Sequence, residues 1–300
     1  MKKIAIIGAS GFLGQALEIE FLKCNEFKVI ATGFKRAKKH HHILNLLDQR
    51  SITQFINQEK PDFILYTAAE KHPDVCSQDP QRAYAINVDA LTNLTQTAVN
   101  IGAWVLYFST DYVFDGAAPP YKPNDRPHPL NDYGLSKLAG EQALWNITDN
   151  ACVLRLPILY GRTANLNDSA VTVLASTLLS NDKRNTMIDD WAIRYPTHTE
   201  DVAIVCRQIV QYKMKYPEFK GTYHWSGLEP FTKYKMALVM AEILGISGEN
   251  LTPQHGNDSK VARPFNCHLE KRDLEILGIG SNRPFKEGVR EVLSSSCVIV

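Results

Sequence analysis

The sequence predicts an α/β fold in which a doubly wound parallel sheet is followed by a smaller C-terminal cap. Two observations support this: short apolar runs alternate with helical patterns over residues 1–160, and a glycine-rich turn directly follows the first run. Strands that are buried on both faces of a parallel sheet have this continuous apolar character. The alternation weakens after about residue 160, so we expect the cap to occupy 161–290 and a flexible tail to occupy 291–300.

The apolar runs predict five strands, at 3–7, 28–34, 61–69, 103–108 and 151–156. Apolar residues at helical spacing follow the first strand and recur at 82–99 and 130–144. In the second half the same patterns predict helices at 170–179, 199–214 and 232–244, and a strand in TYHWS. We expect some of these later segments to return to the first domain.

Composition and charge exclude several classes of protein. The formal net charge is +1, which provides no basic surface for nucleic acid. No apolar run approaches the roughly 20 residues of a membrane-spanning helix. The six cysteines are scattered without a CxxC pair, as is typical of reduced thiols. We therefore expect a cytoplasmic protein with no nucleic-acid partner and no transmembrane segment.

The glycine-rich turn is the first chemical signal. Gly8, Gly11 and Gly14 have GxxGxxG spacing between the first strand and the first helix. Without side chains, such a turn brings backbone N–H groups and a helix N-terminus against a pyrophosphate, as in Rossmann-type folds. We therefore predict a dinucleotide site at this turn, with Ser10, Phe12 and Leu13 as further candidate contacts.

The end of the second strand favours NADP(H) over NAD(H). An NAD-type site places Asp or Glu about 20 residues after the glycines to bind the ribose 2′-hydroxyl. The sequence there reads GFKRAKK, and Lys35 and Arg36 suit a 2′-phosphate instead. A solvated basic loop is the alternative interpretation. Asp48 and Gln49 are included as candidate cofactor contacts.

The run of histidines at 40–42 does not predict a metal site. Consecutive side chains diverge, and no acidic or cysteine partner lies nearby in the sequence at ligand spacing. We expect a surface loop.

Polar residues end the predicted strand at 103–108. Ser109, Thr110 and Asp111 stand at its carboxyl end, where parallel α/β sheets bind their ligands, so we expect the two hydroxyls to face a substrate. Tyr133 and Lys137 follow, four residues apart and therefore on one face of a predicted helix. An adjacent ammonium would lower the pKa of Tyr133, which could then protonate a carbonyl oxygen that Thr110 orients.

These motifs together resemble a known family. GASGFLG, STDYVFDG, YGLSK and LRLPILYG are similar to segments of extended short-chain dehydrogenases/reductases, in particular of the dTDP-4-dehydrorhamnose reductase group. The resemblance implies a Rossmann domain with NADP(H), a nucleotide-sugar substrate, and a catalytic set of Thr110, Asp111, Tyr133 and Lys137. It also implies that PILYG flanks the nicotinamide and that TAAE, at 67–70, lines the cofactor cleft.

A second resemblance keeps another function open. AAEKHPDV, YPTHTEDVAIVCRQ and HWSGLEPFTKYKMA resemble regulatory β subunits of methionine adenosyltransferases, from residue 4 to about 289. This implies NADP binding and association with a methionine adenosyltransferase catalytic subunit, without turnover. Those subunits continue into a tail that engages the partner, whereas this sequence ends in EVLSSSCVIV. The complete catalytic set favours the reductase. A third interpretation is a nucleotide-binding protein that has neither role. The sequence also leaves a homodimer open.

Two further expectations concern the second half. Six residues of types that suit a flat base and a diphosphate are expected to face the substrate: Asp190, Trp191, Arg194, Tyr195, His224 and Trp225. The two tryptophans would equally suit a core. Cys297 matches the C-a-a-X prenylation pattern, although Val300 is an unusual last residue for it. Membrane association would depend on a prenyl group at Cys297. The alternative is a frayed terminus, in which residues beyond about Leu293 pack against nothing.

Overall fold

Seven parallel strands form the central sheet of the structure, a computed structural model that describes residues 1–180, 185–256 and 260–295. The strands are β1 (Lys2–Ile7), β2 (Phe27–Gly33), β3 (His42–Ile43), β4 (Phe63–Tyr66), β5 (Trp104–Thr110), β6 (Ala151–Leu156) and, much later in the chain, β10 (Gly221–His224). They are ordered β3–β2–β1–β4–β5–β6–β10, and every pairing is parallel. The first six follow the Rossmann order, which confirms the predicted sheet.

Helices cover both faces of this sheet. On one face lie α1 (Phe12–Leu22) and α8 (Thr199–Lys215), and on the other lie α2 (Gln49–Glu59), α5 (Ala90–Asn100) and α6 (Asp132–Ile147). Alternate strand residues supply the two cores: in β1, Ile4 and Ile6 pack with α1 and α8, whereas Ala5 and Ile7 pack with α2 and α5. The doubly wound arrangement is therefore confirmed.

The single helix predicted over 82–99 is interrupted by a π-helical turn. After α3 (Pro73–Gln78), α4 (Pro80–Tyr84) leads into the π turn Ala85–Asp89, and α5 follows directly. A π turn holds an extra residue in the helix and re-aims the side chains within it. Here it places Asn87, fully buried, between the sheet and α6.

The C-terminal unit is built around a third core. Two short strand pairs, β7 (Leu159–Tyr160) with β9 (Thr197–His198) and β8 (Thr186–Asp189) with β11 (Leu251–Gln254), accompany α7 (Val173–Leu179) and α9 (Lys233–Leu244). Tyr160, Met236 and Phe285 are among the buried residues of this core. Between these elements the chain returns to the sheet as α8 and β10, with α10 (Arg272–Ile276) beside β10.

The C-terminal helix α11 (Phe285–Ser295) takes the place of the first half of the predicted tail. Val289, Val292 and Leu293 lie on its buried side, in the third core, so residue 291 is inside a packed helix. The expectation for Cys297 falls outside the described residues. Within the described ranges, no helix combines the length and the apolar character needed to cross a bilayer.

Candidate active site

The turn between β1 and α1 has the geometry that a dinucleotide requires. Gly8 has φ +88°, a left-handed conformation that glycine adopts without strain. A Cβ on Gly14 would lie 2.2 Å from the Gly8 carbonyl oxygen, so α1 begins closer to β1 than any other residue would permit. α1 starts after Gly11 with no side-chain cap, and a helix N-terminus of this kind binds anions. The chain therefore fits a pyrophosphate here.

The candidate contacts around this turn differ in exposure. Leu13 is buried in the core, so only its backbone N–H can serve a ligand. Lys35 and Arg36 follow the end of β2 with exposed side chains. Asp48 and Gln49 begin α2, where the Asp48 carboxylate accepts a hydrogen bond from the Arg50 N–H at 3.0 Å. The structure thus gives Asp48 a capping role, and its contact with a cofactor stays a prediction.

The histidine run meets a carboxylate that is distant in the sequence. His40 Nε2 lies 2.7 Å from Glu18 Oε1, and His41 Nε2 lies 3.2 Å from each carboxylate oxygen. The expectation of a plain surface loop is wrong for His41, whose side chain is fully buried. The Lys38 N–H donates to His41 Nδ1 at 3.2 Å, so Nε2 bears the proton and donates to Glu18. With this tautomer, the His41 side chain joins the loop to α1 through Glu18 and is not arranged as a metal ligand.

The polar residues at the end of β5 divide between core and site. Ser109 donates to Glu141, which also pairs with Arg155 at 2.7 Å, and all three residues are buried. The expectation that the Ser109 hydroxyl faces a substrate is therefore wrong. Successive side chains of a strand point to opposite faces, and Thr110 instead donates to Asp111 Oδ1 at 3.2 Å. The Thr110 hydroxyl also lies near enough to Tyr133 to act on its phenol, in the direction of a lower pKa.

The start of α6 holds Tyr133 in place. Asn131 caps the helix by accepting a hydrogen bond from the Gly134 N–H at 2.9 Å, and its side-chain amide donates to the Ala262 carbonyl at 2.8 Å. One turn later, Lys137 Nζ lies 4.1 Å from the centroid of the buried Tyr107 ring. The predicted set of Thr110, Asp111 and Tyr133 is thus brought together, with Lys137 on the same helix.

The protonation of this set differs from the expectation. Burial raises the pKa of Tyr133, and Lys137 is not among the charges that act on it. The predicted lowering of the Tyr133 pKa by an ammonium is therefore wrong. Burial lowers the pKa of Lys137 to about 7, with Glu141 acting in the opposite direction. Burial also raises the pKa of Asp111 to about 7, against the effects of Arg194 and of its hydrogen bond with Thr110. Shifts of this size are typical of functional sites.

Asn87 is a site residue that the sequence patterns did not reveal. Its amide nitrogen donates to Ser136 Oγ on α6 at 2.9 Å and to the Glu70 carbonyl at 3.1 Å, and its oxygen accepts from the Glu70 N–H at 2.9 Å. It therefore joins the TAAE segment to the helix of Tyr133. The available signal was a single amide inside the apolar stripe of the helix predicted at 82–99.

Three cations from the C-terminal half lie near the end of β5: the charges of Arg194 and Arg263 act on Lys233, and both also act on Tyr112. Arg194, Lys233 and Arg263 are called the cation group below. Arg194 is buried and interacts with Asp111 and Tyr112. Burial, together with the charges of Arg263 and Arg194, lowers the pKa of Lys233 to about 8. Arg263 Nε is buried without a hydrogen-bond partner among the described residues. Clustered cations with an unused donor suit an anionic ligand.

The predicted substrate-facing residues are only partly brought to this place. Arg194 is in the cation group, and Trp191 is half-buried with its ring 5.2 Å from that of Phe265. His224 is assigned wrongly and Trp225 takes its alternative place in the core: both are about 1% exposed. His224 bonds with Arg155 and the Tyr121 carbonyl, and Trp225 packs in the core beneath β10. Residue type suggested a ligand for both, but α10 packs beside β10 and the chain at Gly280 lies against the Trp225 ring.

The Rossmann order, the glycine turn after β1, and a Tyr–Lys pair on α6 beside a threonine at the end of β5 define a dehydrogenase/reductase-type protein of the extended short-chain class. A family comparison agrees. The chain belongs to the RmlD substrate-binding-domain family, whose model matches residues 1–297.

Comparisons with individual proteins give two kinds of relative. The chain is 43% identical to methionine adenosyltransferase 2 subunit beta of Pongo abelii, over 97% of this chain and 87% of that protein. It is 30% identical to the spore coat polysaccharide biosynthesis protein SpsK of Bacillus subtilis, over 99% and 100%. Among solved structures, a dTDP-4-dehydrorhamnose reductase of Clostridium acetobutylicum matches with a TM-score of 0.83 and 26% identity, over 97% and 98%. Both predicted resemblances are therefore confirmed.

Proposed function

We propose that this protein binds NADP(H) and reduces a keto group on a nucleotide-linked sugar. The observation that carries the proposal is the buried Tyr133 phenol, on which Thr110 and Asp111 act, with Arg194 of the cation group acting in turn on Asp111. Lys35 and Arg36 supply positive charge for a 2′-phosphate at the end of β2. The similarity to dTDP-4-dehydrorhamnose reductase supports the substrate class.

The chemistry assigned to the chain is a proton transfer. Bound NADPH would supply the hydride to the carbonyl carbon. Tyr133 Oη holds the proton that the carbonyl oxygen takes, and its raised pKa keeps the phenol protonated at neutral pH. With substrate bound, the Thr110 hydroxyl would turn from Asp111 to donate to the same oxygen, and exclusion of water from a buried site strengthens both hydrogen bonds. The cation group would bind the diphosphate of the sugar nucleotide.

The test is NADPH oxidation with a dTDP-4-dehydro sugar, followed in wild type and Tyr133→Phe. We expect the substitution to lower turnover by about 100-fold or more, because the proton donor is lost, and to leave NADPH affinity within about twofold. Tyr84→Phe, at an exposed position, is the matched control. Full turnover in Tyr133→Phe would remove the proposed acid.

A second candidate function is an NADP(H)-binding regulatory subunit that associates with a methionine adenosyltransferase. The 43% identity over 97% of the chain favours it. A pull-down with a purified methionine adenosyltransferase catalytic subunit, beside the oxidation assay, separates the two. Association without NADPH oxidation supports the regulatory function, and oxidation without association supports the reductase.

A further inference from the structure

We propose that Asp168 competes with a cofactor 2′-phosphate for Arg36, so that the segment 163–169 is a latch across the dinucleotide cleft. NADP(H) opens this latch and NAD(H) does not. The inference rests on the NADP(H) binding proposed above, and it adds a residue from the C-terminal unit to cofactor discrimination.

The loop that presents Arg36 is held at both ends, by α1 and by the end of β2. His40 and His41 hold its far end to Glu18 of α1, as described above. At its near end, the Leu44 N–H donates to the Gly33 carbonyl at 2.8 Å. Arg36 therefore projects from a fixed position at the tip of β2, where Rossmann folds bind the adenosine ribose.

Asp168 reaches this arginine from a sequence distance of 132 residues. It ends a 3₁₀ turn, Leu166–Asp168, and Asp168 Oδ1 lies 3.4 Å from Arg36 Nη1. The other carboxylate oxygen accepts a hydrogen bond from Thr163 Oγ1 at 2.8 Å. The Asp168 carboxylate is thus aimed at Arg36 by its own segment.

The backbone of Asp168 makes a second contact with the cleft. Lys71 Nζ donates to the Asp168 carbonyl at 2.5 Å and lies 5.5 Å from the centroid of the Phe12 ring. Lys71 directly follows the TAAE segment after β4, and Phe12 is the first residue of α1. The latch therefore extends from the tip of β2 to the loop after β4, beside the glycine turn between them.

Charge explains why one anion displaces the other. A 2′-phosphate and the Asp168 carboxylate are both negative, so they repel each other at a shared guanidinium. A ribose 2′-hydroxyl has no such charge and leaves the pair intact. The side chains of Arg36 and Asp168 are 63% and 27% exposed, so the pair is weak enough for a ligand to break.

Calorimetry with NADPH and NADH tests the competition in wild type, Asp168→Asn and Asp149→Asn. The asparagine keeps an oxygen for Thr163 and the backbone contact with Lys71 but removes the charge. Asp149→Asn removes the same charge from an exposed pair with Lys220. We expect Asp168→Asn to bind NADPH about two- to fivefold more tightly, the range for a surface ion pair, with NADH unchanged. Asp149→Asn should bind both as wild type does.

The outcomes separate the latch from the function on which it rests. If wild type prefers NADPH and Asp168→Asn binds it equally or more weakly, the latch is overturned and NADP(H) binding stands. If wild type shows no preference for NADPH, the proposed cofactor itself is wrong. Hydrogen exchange gives a second readout: amides of 163–169 should exchange faster with NADPH but not with NADH. Slower exchange with NADPH would also overturn the latch.

Discussion

Burial, rather than a neighbouring charge, is the largest influence on the pKa of Asp111, Tyr133 and Lys137. It disfavours every charged form, so it acts upward on the acid and the phenol and downward on the amine. Arg194 and Glu141 oppose it at Asp111 and Lys137 respectively. Charging these three groups therefore lowers the stability of the folded state. Such a cost is expected of residues that serve binding or chemistry rather than stability.

Asp111→Asn should raise stability, and more at high pH than at low pH. A carboxyl whose folded pKa is raised to about 7 favours the folded state below its unfolded pKa, and this contribution is lost as the pH rises towards 7. The neutral amide avoids the loss, so we expect a gain of about 1–3 kcal/mol at pH 8 and a smaller gain at pH 5. Urea unfolding at the two pH values measures it. An equal effect at both would contradict the raised pKa.

At the level of single elements, the sequence patterns predicted what local periodicity encodes. Five strands are buried on both faces and therefore have continuous apolar runs: β1, β2, β4, β5 and β6. The glycine turn was recognised from its position between a strand and a helix. The π turn was missed because the apolar stripe continues through it. The two-residue strands β3, β7 and β9 were missed because strands so short depend on their partners rather than on their own residues.

The close approach of β1 and α1 gives a prediction for Gly14→Ala. The added methyl would meet the Gly8 carbonyl oxygen at 2.2 Å, so the turn must open despite the better helix propensity of alanine. We expect a loss of about 2 kcal/mol in stability and at least tenfold weaker NADPH binding, since the N–H groups move away from the pyrophosphate. Thermal unfolding and calorimetry measure the two effects.

Ile19→Ala is the control for that substitution. Ile19 lies on the same helix with its side chain 57% exposed, so stability should change by less than about 0.5 kcal/mol. NADPH affinity should be unchanged. Wild-type affinity in Gly14→Ala would show that the turn does not bind the dinucleotide.

For the whole molecule, the site depends on how the C-terminal unit packs on the sheet. Thr110 and Tyr133 come from the sheet domain, whereas Arg194, Lys233 and Arg263 come from segments separated by about 30 to 40 residues each. No local pattern relates these cations, so the sequence pointed to only one of them. The two parts are joined by Arg283, which pairs with Asp201 of α8 at 3.1 Å just before α11 begins. Asp168 and Glu18 were missed for the same reason: their partners are distant in the chain.

This joining predicts that the molecule unfolds as one unit. Phe285 fills the third core against the rings of Tyr160 and Phe231, at centroid distances of 5.2 and 4.7 Å. Phe285→Ala should cost about 3–5 kcal/mol, and Leu228→Ala, at a 56% exposed position, less than about 0.5 kcal/mol. Three of the four tryptophans, Trp104, Trp145 and Trp225, pack in or against the sheet cores, so tryptophan fluorescence reports mainly on those cores. Far-UV circular dichroism reports on all helices. Because Arg283 and the returning α8 and β10 couple the parts, both probes should show one coincident urea transition in each variant. A Phe285→Ala variant whose dichroism falls before its fluorescence changes would show instead that the C-terminal unit melts by itself.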